Sequence, residues 1–427
     1  MAISLKPHPL SGHVNVPPSK SMAHRAIICA SLARGKSVIS NIEYSKDIEA
    51  TIQAMKALGT MIFKHDDYLE IDGTTTFMRN KCKIDCNESG STLRFMIPIS
   101  IVYDANIHFI GQGRLGKRPL DIYYKIFDEQ NIGYLYREDV LDLYIQGRLL
   151  GGEFKIPGDV SSQFISGLLF ALPLMEEDSK IIVTSPLESK GYIDLTIQML
   201  NLYGIKIVNH DYQEFIIQGN QRYMPCDYKV EADFSQAAFY LVAGALNNSV
   251  ILDGLNLDSC QGDKAALDIL KRMGCTLNKV DGGHQIVRQQ LQATHIDGSQ
   301  CPDIIPVIAL ACAVANGTSL IENISRLRIK ECDRLKATVD VICQLGGKAY
   351  EKEDAMEIIG VTSLQGGHVS SYNDHRMAMM EAIASTVCQN RVYIDNETCV
   401  EKSYPSFWEH FKMLGGVADE YDMGKEY

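Results

Sequence analysis

The chain has 427 residues, of which 46% are hydrophobic and 22% charged, and it carries a formal net charge of −12. This composition excludes the disordered and fibrous classes, and the acidity argues against nucleic acid as a partner. The length predicts two or three domains. The apolar stretches are too short to cross a bilayer and the N-terminus lacks the pattern of a secretory signal, so we expect a cytoplasmic protein with no membrane partner.

A repeat of roughly 70 residues runs along the whole chain. Each copy has a short β-branched run, which predicts a strand, and then an amphipathic stretch that ends at a glycine. The runs are residues 37–39, 107–110, 181–183, 250–252, 319–321 and 392–394, and the glycines are Gly59, Gly133, Gly204, Gly274, Gly346 and Gly415. Six copies predict an α/β protein whose units are divided as three and three.

Each unit also contains a more apolar helical stretch that follows a polar segment. The six polar segments are residues 19–25, 87–94, 158–163, 231–236, 297–303 and 371–376. Because the helices behind them are almost wholly apolar, we expect three buried helices in the core of each domain. Helices that begin alike can direct several N-termini at one place, and helix N-termini attract anions. The repeat therefore predicts an anionic ligand.

The two ends of the chain predict how the domains are joined. The sixth unit has little chain left for closing strands after Gly415, whereas residues 3–6 form a predicted strand that belongs to no unit. We therefore predict that the N-terminal strand completes the sixth unit, so that the chain crosses between domains near residues 10–18 and 224–230 and forms a hinge. The predicted domains are residues 13–226 and residues 1–12 with 227–427.

The 12 cysteines are scattered, and no two of them form a C-x-x-C pair. The closest two, Cys82 and Cys86, flank a predicted strand. We interpret all of them as reduced packing residues rather than metal ligands or disulfides, and we expect no metal site.

The first polar segment carries the clearest chemistry. Ser19, Lys20, Ser21 and Arg25 place two hydroxyls and two cations around a predicted helix start, which is typical of an anion cradle. A serine N-cap with solvated basic neighbours is an equally good interpretation of this segment alone.

Four motifs together resemble the 5-enolpyruvylshikimate-3-phosphate (EPSP) synthase family. They are Pro-Pro-Ser-Lys-Ser-Met-Ala-His-Arg at 17–25, Val-Ser-Ser-Gln-Phe at 160–164, Arg-Ile-Lys-Glu-Cys-Asp-Arg-Leu at 328–335 and Tyr-Asn-Asp-His-Arg-Met-Ala-Met at 372–379. The resemblance covers essentially the whole chain. It implies two hinged domains, each of three βαβαββ units in an inside-out α/β barrel, that close over the substrates. It also implies a monomer that uses neither metal nor organic cofactor.

The resemblance implies two small-molecule substrates, shikimate 3-phosphate and phosphoenolpyruvate. For shikimate 3-phosphate it implies contacts from Lys20, Ser21, Arg25, Ser161, Ser162, Gln163, Ser189, Tyr192, Asp303 and Lys330. For phosphoenolpyruvate it implies Lys20, Gly90, Arg118, Gln163, Arg334, Arg376 and Lys402. Ser161 and Ser162 could equally be plain helix caps, and Gly90 would let a ligand approach the backbone closely.

The implied reaction adds the 5-hydroxyl of the acceptor to C2 of phosphoenolpyruvate and then eliminates phosphate. Asp303 and Glu331 match the two catalytic carboxylates of the family, Asp303 near the hydroxyl and Glu331 near the methylene carbon, with Lys20 as a third catalytic residue. The alternative for Glu331 is a surface ion pair with Arg334, three residues along a helix. We expect His375 to orient its neighbours.

Three residues depart from the pattern of the family. Glu88 stands where many members have Asn, Arg326 where some have Asn, and Phe95 where Pro is common. A carboxylate beside an anion should repel it unless Glu88 pairs with a cation such as Arg118 or Lys20. These departures leave sensitivity to glyphosate, an inhibitor of the family, undetermined by the sequence, although Gly90 is compatible with it.

Three other functions remain as alternatives. The sister enolpyruvyl transferase acts on UDP-N-acetylglucosamine and carries a reactive cysteine in a loop that here, at 111–118, has none. A related repeat fold acts on RNA ends, which the acidic composition disfavours. A non-catalytic binding protein would be expected to lack one of Lys20, Asp303, Glu331 or Arg376, and all four are present.

Overall fold

The computed structural model describes residues 2–137 and 139–421, which form 24 strands and 12 α-helices. The strands are β1 (Ala2–Lys6), β2 (Ser11–Asn15), β3 (Lys36–Ser40), β4 (Met61–Lys64), β5 (Tyr68–Asp72), β6 (Lys81–Asp85), β7 (Ala105–Ile110), β8 (Gly133–Tyr136), β9 (Asp142–Gly147), β10 (Glu153–Ile156), β11 (Ser179–Val183), β12 (Ile207–His210), β13 (Glu214–Ile217), β14 (Tyr228–Lys229), β15 (Ser249–Asp253), β16 (Cys275–Val280), β17 (Gly283–Arg288), β18 (His295–Asp297), β19 (Thr318–Glu322), β20 (Lys348–Glu351), β21 (Ala355–Ile359), β22 (Gly367–Val369), β23 (Val392–Ile394) and β24 (Val417–Tyr421). The helices are α1 (Lys20–Leu32), α2 (Lys46–Ala57), α3 (Gly90–Ser100), α4 (Asp121–Gln130), α5 (Ser162–Ala171), α6 (Lys190–Leu202), α7 (Phe234–Ala245), α8 (Ala265–Arg272), α9 (Ile305–Ala313), α10 (Arg334–Gln344), α11 (His375–Ser385) and α12 (Phe407–Met413).

The chain divides into two compact units. One is Pro18–Glu231, called here the inserted unit, and the other, the terminal unit, combines the residues up to Pro17 with those from Ala232 onward. Each unit has three four-stranded sheets. In the inserted unit the strand orders are β14-β3-β5-β4, β6-β7-β9-β8 and β10-β11-β13-β12, and in the terminal unit they are β2-β15-β17-β16, β18-β19-β21-β20 and β22-β23-β1-β24. The prediction of an α/β protein built from six repeated units is confirmed.

All six sheets share one topology. The first two strands of each order run parallel, and the other two neighbouring pairs run antiparallel. Each of the six predicted β-branched runs lies in the second strand of a sheet, next to the parallel partner. Alternate residues of this strand are buried in all six sheets, as expected for a strand with one face against a core of helices.

The N-terminal strand β1 lies in the last sheet, antiparallel to both β23 and β24. Four of its five residues are buried. Residues at the start of the chain thus close a sheet whose other strands begin at Gly367.

The boundaries between the units fall later than predicted. The chain crosses after residue 17 instead of residue 12, and after residue 231 instead of residue 226. Strand β2, which we expected to open the first domain, pairs instead with β15 of the terminal unit, and β14 pairs with β3 of the inserted unit. Each crossing strand thus stays in a sheet of the unit that the chain is leaving.

The core of each unit is formed by its three most apolar helices. In the inserted unit α3 packs against α5, and in the terminal unit α7, α9 and α11 contact one another. In α9 all nine residues are buried. Helices that are apolar on every side cannot face water, so they occupy the centre and their polar N-terminal turns collect at the ends of the core.

Five of the six repeat glycines have the expected conformation. Gly59, Gly204, Gly274, Gly346 and Gly415 follow the ends of α2, α6, α8, α10 and α12 with φ between 83° and 110°. The prediction for Gly133 is wrong, because Asn131 adopts the left-handed conformation after α4, with φ 56°, and Gly133 begins β8. Asparagine tolerates this conformation nearly as well as glycine does, so one unit uses it instead.

Among the described residues, no helix is both long enough and apolar enough to cross a membrane. The same residues contain no group of three or more histidine, cysteine, aspartate or glutamate side chains arranged to hold a metal ion.

The burial of β1 gives a test of its structural role. Leu5→Ala should lower the free energy of unfolding by about 2 to 5 kcal/mol, because Leu5 is fully buried and its truncation leaves a cavity. Urea unfolding would measure the change. Lys6→Ala on the exposed end of the same strand is the control and should stay within about 0.5 kcal/mol of the unsubstituted chain. Equal stability of the two variants would mean that β1 does not belong to the folded unit.

Candidate functional site

In the inserted unit, the first turn of α1 carries an ion pair. Ser19 caps the helix by accepting a hydrogen bond from the Met22 amide, and Lys20 is the first helical residue. The Lys20 Nζ lies 2.8 Å from Oδ2 of Asp47, a buried residue of α2. The cap and the cation are therefore both present in the segment for which the sequence offered two interpretations. No pattern in the sequence pointed to Asp47.

Arg25, one turn further along α1, is a buried cation that donates only to neutral oxygens. Its Nη1 donates to the Ser21 carbonyl at 2.7 Å, its Nε to Thr196 Oγ1 at 2.9 Å and its Nη2 to the Tyr192 carbonyl at 2.9 Å. Burial lowers the pKa of Arg25 to about 10, so the side chain is charged at neutral pH. Within residues 2–137 and 139–421 no carboxylate forms an ion pair with it. A buried guanidinium without a carboxylate partner is suited to an anionic ligand.

Gln163 connects the first turns of α3 and α5. Its Oε1 accepts from Arg94 Nη1 at 2.9 Å and its Nε2 donates to Ser91 Oγ at 2.9 Å. The Ser161 hydroxyl accepts from the Gln163 amide and caps α5, while Ser162 is the first, buried residue of the helix. The helix-cap interpretation is thus right for Ser161, and Gln163 places this cap close to the first turn of α3.

Gly90, the first residue of α3, has a close neighbour on its open side. A Cβ built on Gly90 would lie 2.5 Å from Nη1 of Arg118 and 3.6 Å from Oε1 of Gln163. The absence of a side chain is therefore what allows Arg118 to lie against the start of the helix. Three of the expected donor-binding residues meet here.

Glu88, one of the departures from the family pattern, lies against a neighbouring loop. Its carboxylate packs onto Gly113, which has φ 58° and opens the 3₁₀ turn Gly113–Lys117 that precedes Arg118. A side chain at residue 113 would collide with this carboxylate. Glu88 therefore supports the turn from which Arg118 extends.

Ser189 and Tyr192 belong to the segment that leads into α6. Ser189 is buried and has φ 56°, a conformation that costs a residue with a Cβ of the order of 1 kcal/mol or more. The Arg25 guanidinium, which donates to the Tyr192 carbonyl, also lies 5.9 Å from the centre of the Tyr192 ring. The arginine thus holds this segment beside α1.

In the terminal unit, Asp303 is surrounded by three cations. Its Oδ1 lies 3.0 Å from Arg334 Nη1 and 3.3 Å from Lys330 Nζ, and its Oδ2 lies 3.3 Å from Arg376 Nη2. Burial raises the pKa of Asp303, but Arg376, Lys330 and Arg334 together lower it well below its ordinary value. Asp303 is therefore an anion in the unliganded protein.

Arg334 is the residue that joins the acidic side chains of this cluster. Its side chain is 2% exposed, and it binds Glu331 Oε2 at 2.7 Å and Asp374 Oδ2 at 2.7 Å in addition to Asp303. The alternative interpretation of Glu331 and Arg334 as a surface pair is wrong, because both side chains are largely buried. Burial would lower the pKa of Arg334, but Asp374, Glu331 and Asp303 raise it well above its ordinary value.

Three further cations of the terminal unit, Lys330, Arg326 and Lys402, are partly or fully buried. Burial lowers the pKa of Lys330, with Asp303 opposing the shift and Arg334 and Arg326 adding to it. Arg326, the second departure from the family pattern, donates from Nη2 to the Ser299 carbonyl at 3.0 Å. Lys402 is the last residue of the 3₁₀ turn Glu397–Lys402 and is 6% exposed.

Sequence reasoning missed two acidic groups of the terminal unit. Asp374 was quoted only as part of a motif and received no role. Asp263 is buried and hydrogen-bonded to the Ser235 hydroxyl; burial and the charge of Asp303 raise its pKa to about 6, against the influence of Arg376. Asp374 lies in a marked motif, but its role, like that of Asp263, depends on partners that are distant in the chain.

Comparison with known proteins finds relatives over nearly the whole length of the chain. The sequence profile described as EPSP synthase (3-phosphoshikimate 1-carboxyvinyltransferase) matches residues 5–411. Among named relatives, the 3-phosphoshikimate 1-carboxyvinyltransferase of Clostridium beijerinckii is 53% identical over 432 residues, covering 99% of each chain. That of Clostridium botulinum strain Alaska E43 is 55% identical over 429 residues, covering 98% of each. A solved EPSP synthase from Acinetobacter baumannii shares the fold, with a TM-score of 0.81 and 23% identity over 98% of this chain and 100% of that one.

Arg25 allows a test of anion binding, because none of the described carboxylates forms an ion pair with it. Sulfate should raise the unfolding temperature of the unsubstituted chain, because it binds the folded state, and Arg25→Gln should lose most of that increase. The measurement is thermal unfolding at several sulfate concentrations. Arg148→Gln is the matched control, since Arg148 is more exposed and already pairs with Glu176. The same gain from sulfate in both variants would contradict an anion site at Arg25.

Proposed function

The chain belongs to the EPSP synthase family, and we propose that it transfers the enolpyruvyl group of phosphoenolpyruvate to the 5-hydroxyl of shikimate 3-phosphate. The products are 5-enolpyruvylshikimate 3-phosphate and inorganic phosphate. The observation that carries the proposal is a largely buried cluster of charges. Arg334, Arg376 and Lys330 surround Asp303, and Arg334 also forms an ion pair with Glu331. The cluster combines the two requirements of this reaction, cations for an anionic donor and carboxylates for proton transfer.

Shikimate 3-phosphate is the proposed ligand of the polar helix starts of the inserted unit. Ser161, Ser162 and Gln163 would bind its phosphate, because hydroxyls and amide N–H groups at a helix N-terminus favour an oxyanion. Arg25 would bind its carboxylate, which supplies the negative charge that this buried guanidinium lacks. Lys20, Ser21, Ser189, Tyr192, Asp303 and Lys330 complete the proposed acceptor-binding set.

Phosphoenolpyruvate carries a phosphate and a carboxylate, so its proposed ligands are mainly cations. They are Lys20, Gly90, Arg118, Gln163, Arg334, Arg376 and Lys402. The close approach of Arg118 to Gly90 supports this assignment, because it places a guanidinium directly beside the first residue of α3.

The proposed chemistry proceeds by addition and then elimination. The 5-hydroxyl oxygen bonds to C2 of phosphoenolpyruvate as its proton passes to Asp303 and C3 gains a proton, which gives a tetrahedral phosphoketal. The C2–O bond to phosphate then breaks and C3 loses a proton, which leaves the enol ether. Glu331 exchanges the proton at C3, and Lys20 stabilises the charge that develops on the donor phosphate.

Asp303 can accept a proton only if its environment changes on binding. In the unliganded protein three cations hold its pKa far below neutrality. When the donor phosphate and carboxylate neutralise Arg334 and Arg376, the pKa of Asp303 rises toward the range of a useful base. The donor would thus activate the residue that deprotonates the acceptor. The proposal also includes a monomeric, cytoplasmic enzyme that requires no cofactor.

The function is tested by phosphate release from phosphoenolpyruvate. We expect release with shikimate 3-phosphate as the acceptor and none with UDP-N-acetylglucosamine in a parallel reaction, because the proposed acceptor ligands are suited to one carboxylate and one phosphate. Release with the sugar nucleotide alone would assign the chain to the sister reaction. Release with neither acceptor would contradict enolpyruvyl transfer.

The space at Gly90 gives a prediction for donor binding. Gly90→Ala should raise the KM for phosphoenolpyruvate by about tenfold or more, since the new methyl group must displace the Arg118 guanidinium and the loss of one charge-assisted contact costs on the order of 1.4 kcal/mol or more. Steady-state kinetics with each substrate varied in turn would measure it. The KM for shikimate 3-phosphate should change little. Gly133→Ala, where a methyl group would make only ordinary van der Waals contacts with Gln146, tests whether any glycine substitution has this effect. An unchanged donor KM in Gly90→Ala would refute the proposed contact.

A further inference from the structure

Asp374 binds Arg334 through both of its carboxylate oxygens, although it is not among the expected substrate ligands. Its Oδ2 accepts from Arg334 Nε at 2.7 Å and its Oδ1 accepts from Arg334 Nη2 at 3.2 Å. Two parallel bonds of this kind fix the plane of a guanidinium as well as its position. The Asp374 side chain is 0% exposed, so water does not compete for it.

These two bonds decide which part of Arg334 faces the other groups. A guanidinium has five N–H donors, and two of them are occupied by Asp374. One donor each points to Glu331 Oε2 and Asp303 Oδ1. Rotation of the arginine away from Asp374 would therefore move it off both proposed catalytic carboxylates as well.

Asp374 also holds the start of the helix that carries Arg376. It is the N-cap of α11, and its Oδ1 accepts from the Arg376 amide at 2.9 Å. Arg376 is in the first turn of α11, and its Nη2 reaches Asp303 Oδ2. One carboxylate thus bonds to the side chain of one proposed donor ligand and to the backbone of the other.

The surroundings of Asp374 keep this arrangement rigid. The Cys332 thiol donates to Oδ2 at 3.5 Å, and Glu381, two turns further along α11, is fully buried. Burial raises the pKa values of both Cys332 and Glu381; Asp374 adds to the shift at Cys332, and Asp395 and Asp374 add to it at Glu381, so the anionic form of each group is disfavoured. Neither group can replace Asp374 as the anionic partner of Arg334.

We propose that Asp374 is a positioning residue that fixes both donor-binding arginines, Arg334 through its guanidinium and Arg376 through the first turn of α11. This inference rests on the proposed function, in which these arginines bind phosphoenolpyruvate. Asp374 itself does not touch the substrate. Its role is to hold both arginines in their binding positions before phosphoenolpyruvate arrives. This lowers the entropic cost of ordering two long side chains on binding.

The first variant is Asp374→Asn, which keeps an oxygen for the helix cap but removes the charge and one acceptor for Arg334. We expect the KM for phosphoenolpyruvate to rise and kcat to fall, each by about tenfold or more, as for loss of one charge-assisted bond. The dissociation constant of shikimate 3-phosphate in the absence of donor, measured by calorimetry, should stay within about threefold. That binding also shows that the variant is folded.

The matched control is Asp333→Asn. Asp333 is likewise a helix N-cap, for α10, and its carboxylate likewise pairs with an arginine, Arg328, but it is partly exposed and outside the cluster. We expect kinetics close to those of the unsubstituted enzyme. Equal losses in Asp374→Asn and Asp333→Asn would overturn the proposal, because they would indicate a general effect of weakening a helix cap.

A double-mutant cycle with Arg334→Lys tests whether Asp374 acts through this arginine. If it does, the double variant loses little more donor affinity than Arg334→Lys alone, whereas additive losses would overturn the proposal. Should Asp374→Asn fail to fold, Asp374→Glu keeps the charge but displaces the carboxylate by one methylene, and it should raise the donor KM with acceptor binding intact. Normal donor kinetics in Asp374→Glu would contradict precise positioning.

The unsubstituted enzyme separates this inference from the function on which it rests. If that enzyme releases no phosphate with shikimate 3-phosphate, the proposed function fails and the inference falls with it. If it is active and Asp374→Asn has the same donor KM and kcat, only the inference is wrong.

Discussion

The terminal unit is organised around the need to pair buried charges. An isolated ion taken out of water costs several kcal/mol even after the protein relaxes, so Lys330, Arg334 and Arg376 can be buried only beside carboxylates. Asp303 contacts all three, and Arg334 contacts three carboxylates in turn. These residues lie at the starts of α9 and α10, which belong to one repeat, and of α11, which belongs to the next, so the full set of ion pairs forms only when two repeats are packed together. The reactive groups and the tertiary structure therefore depend on each other.

The two units use the same repeated helix start in different ways. In the inserted unit α1, α3 and α5 are capped by the neutral hydroxyls of Ser19, Ser89 and Ser161, which leave the positive end of each helix dipole uncompensated. In the terminal unit α7 and α11 are capped by the carboxylates of Asp233 and Asp374, which compensate the dipole. Attraction for anions there must come from side-chain cations instead. The helix starts thus have the same geometry in both units. The cap residue decides whether the positive charge that attracts an anion comes from the helix dipole or from cationic side chains.

The features that the sequence predicted are those that depend on neighbours along the chain. The β-branched runs, the apolar helices and five of the six glycine ends follow from local patterns, and they were placed correctly. The domain boundaries were not, because β2 finds its partner β15 more than two hundred residues away and β14 is only two residues long. Asp47 and Asp374 were missed for a related reason. An aspartate near a helix start has the same local signature whether it caps the helix, as Asp333 does, or also holds a catalytic cation.

Arg25 and Arg334 show two solutions to the problem of keeping a cation ready for an anionic ligand. Arg334 is saturated with carboxylates, so it is stable without a ligand, but a ligand must compete with Asp303 and Glu331 for its donors. Arg25 is held by three neutral oxygens, so burial disfavours its charge, as its lowered pKa indicates. The inserted unit therefore carries an electrostatic cost that a bound anion would relieve. A chain selected only for stability would place a carboxylate beside Arg25, as it does beside Arg334. The absence of such a partner among the described residues is explained if a ligand provides it.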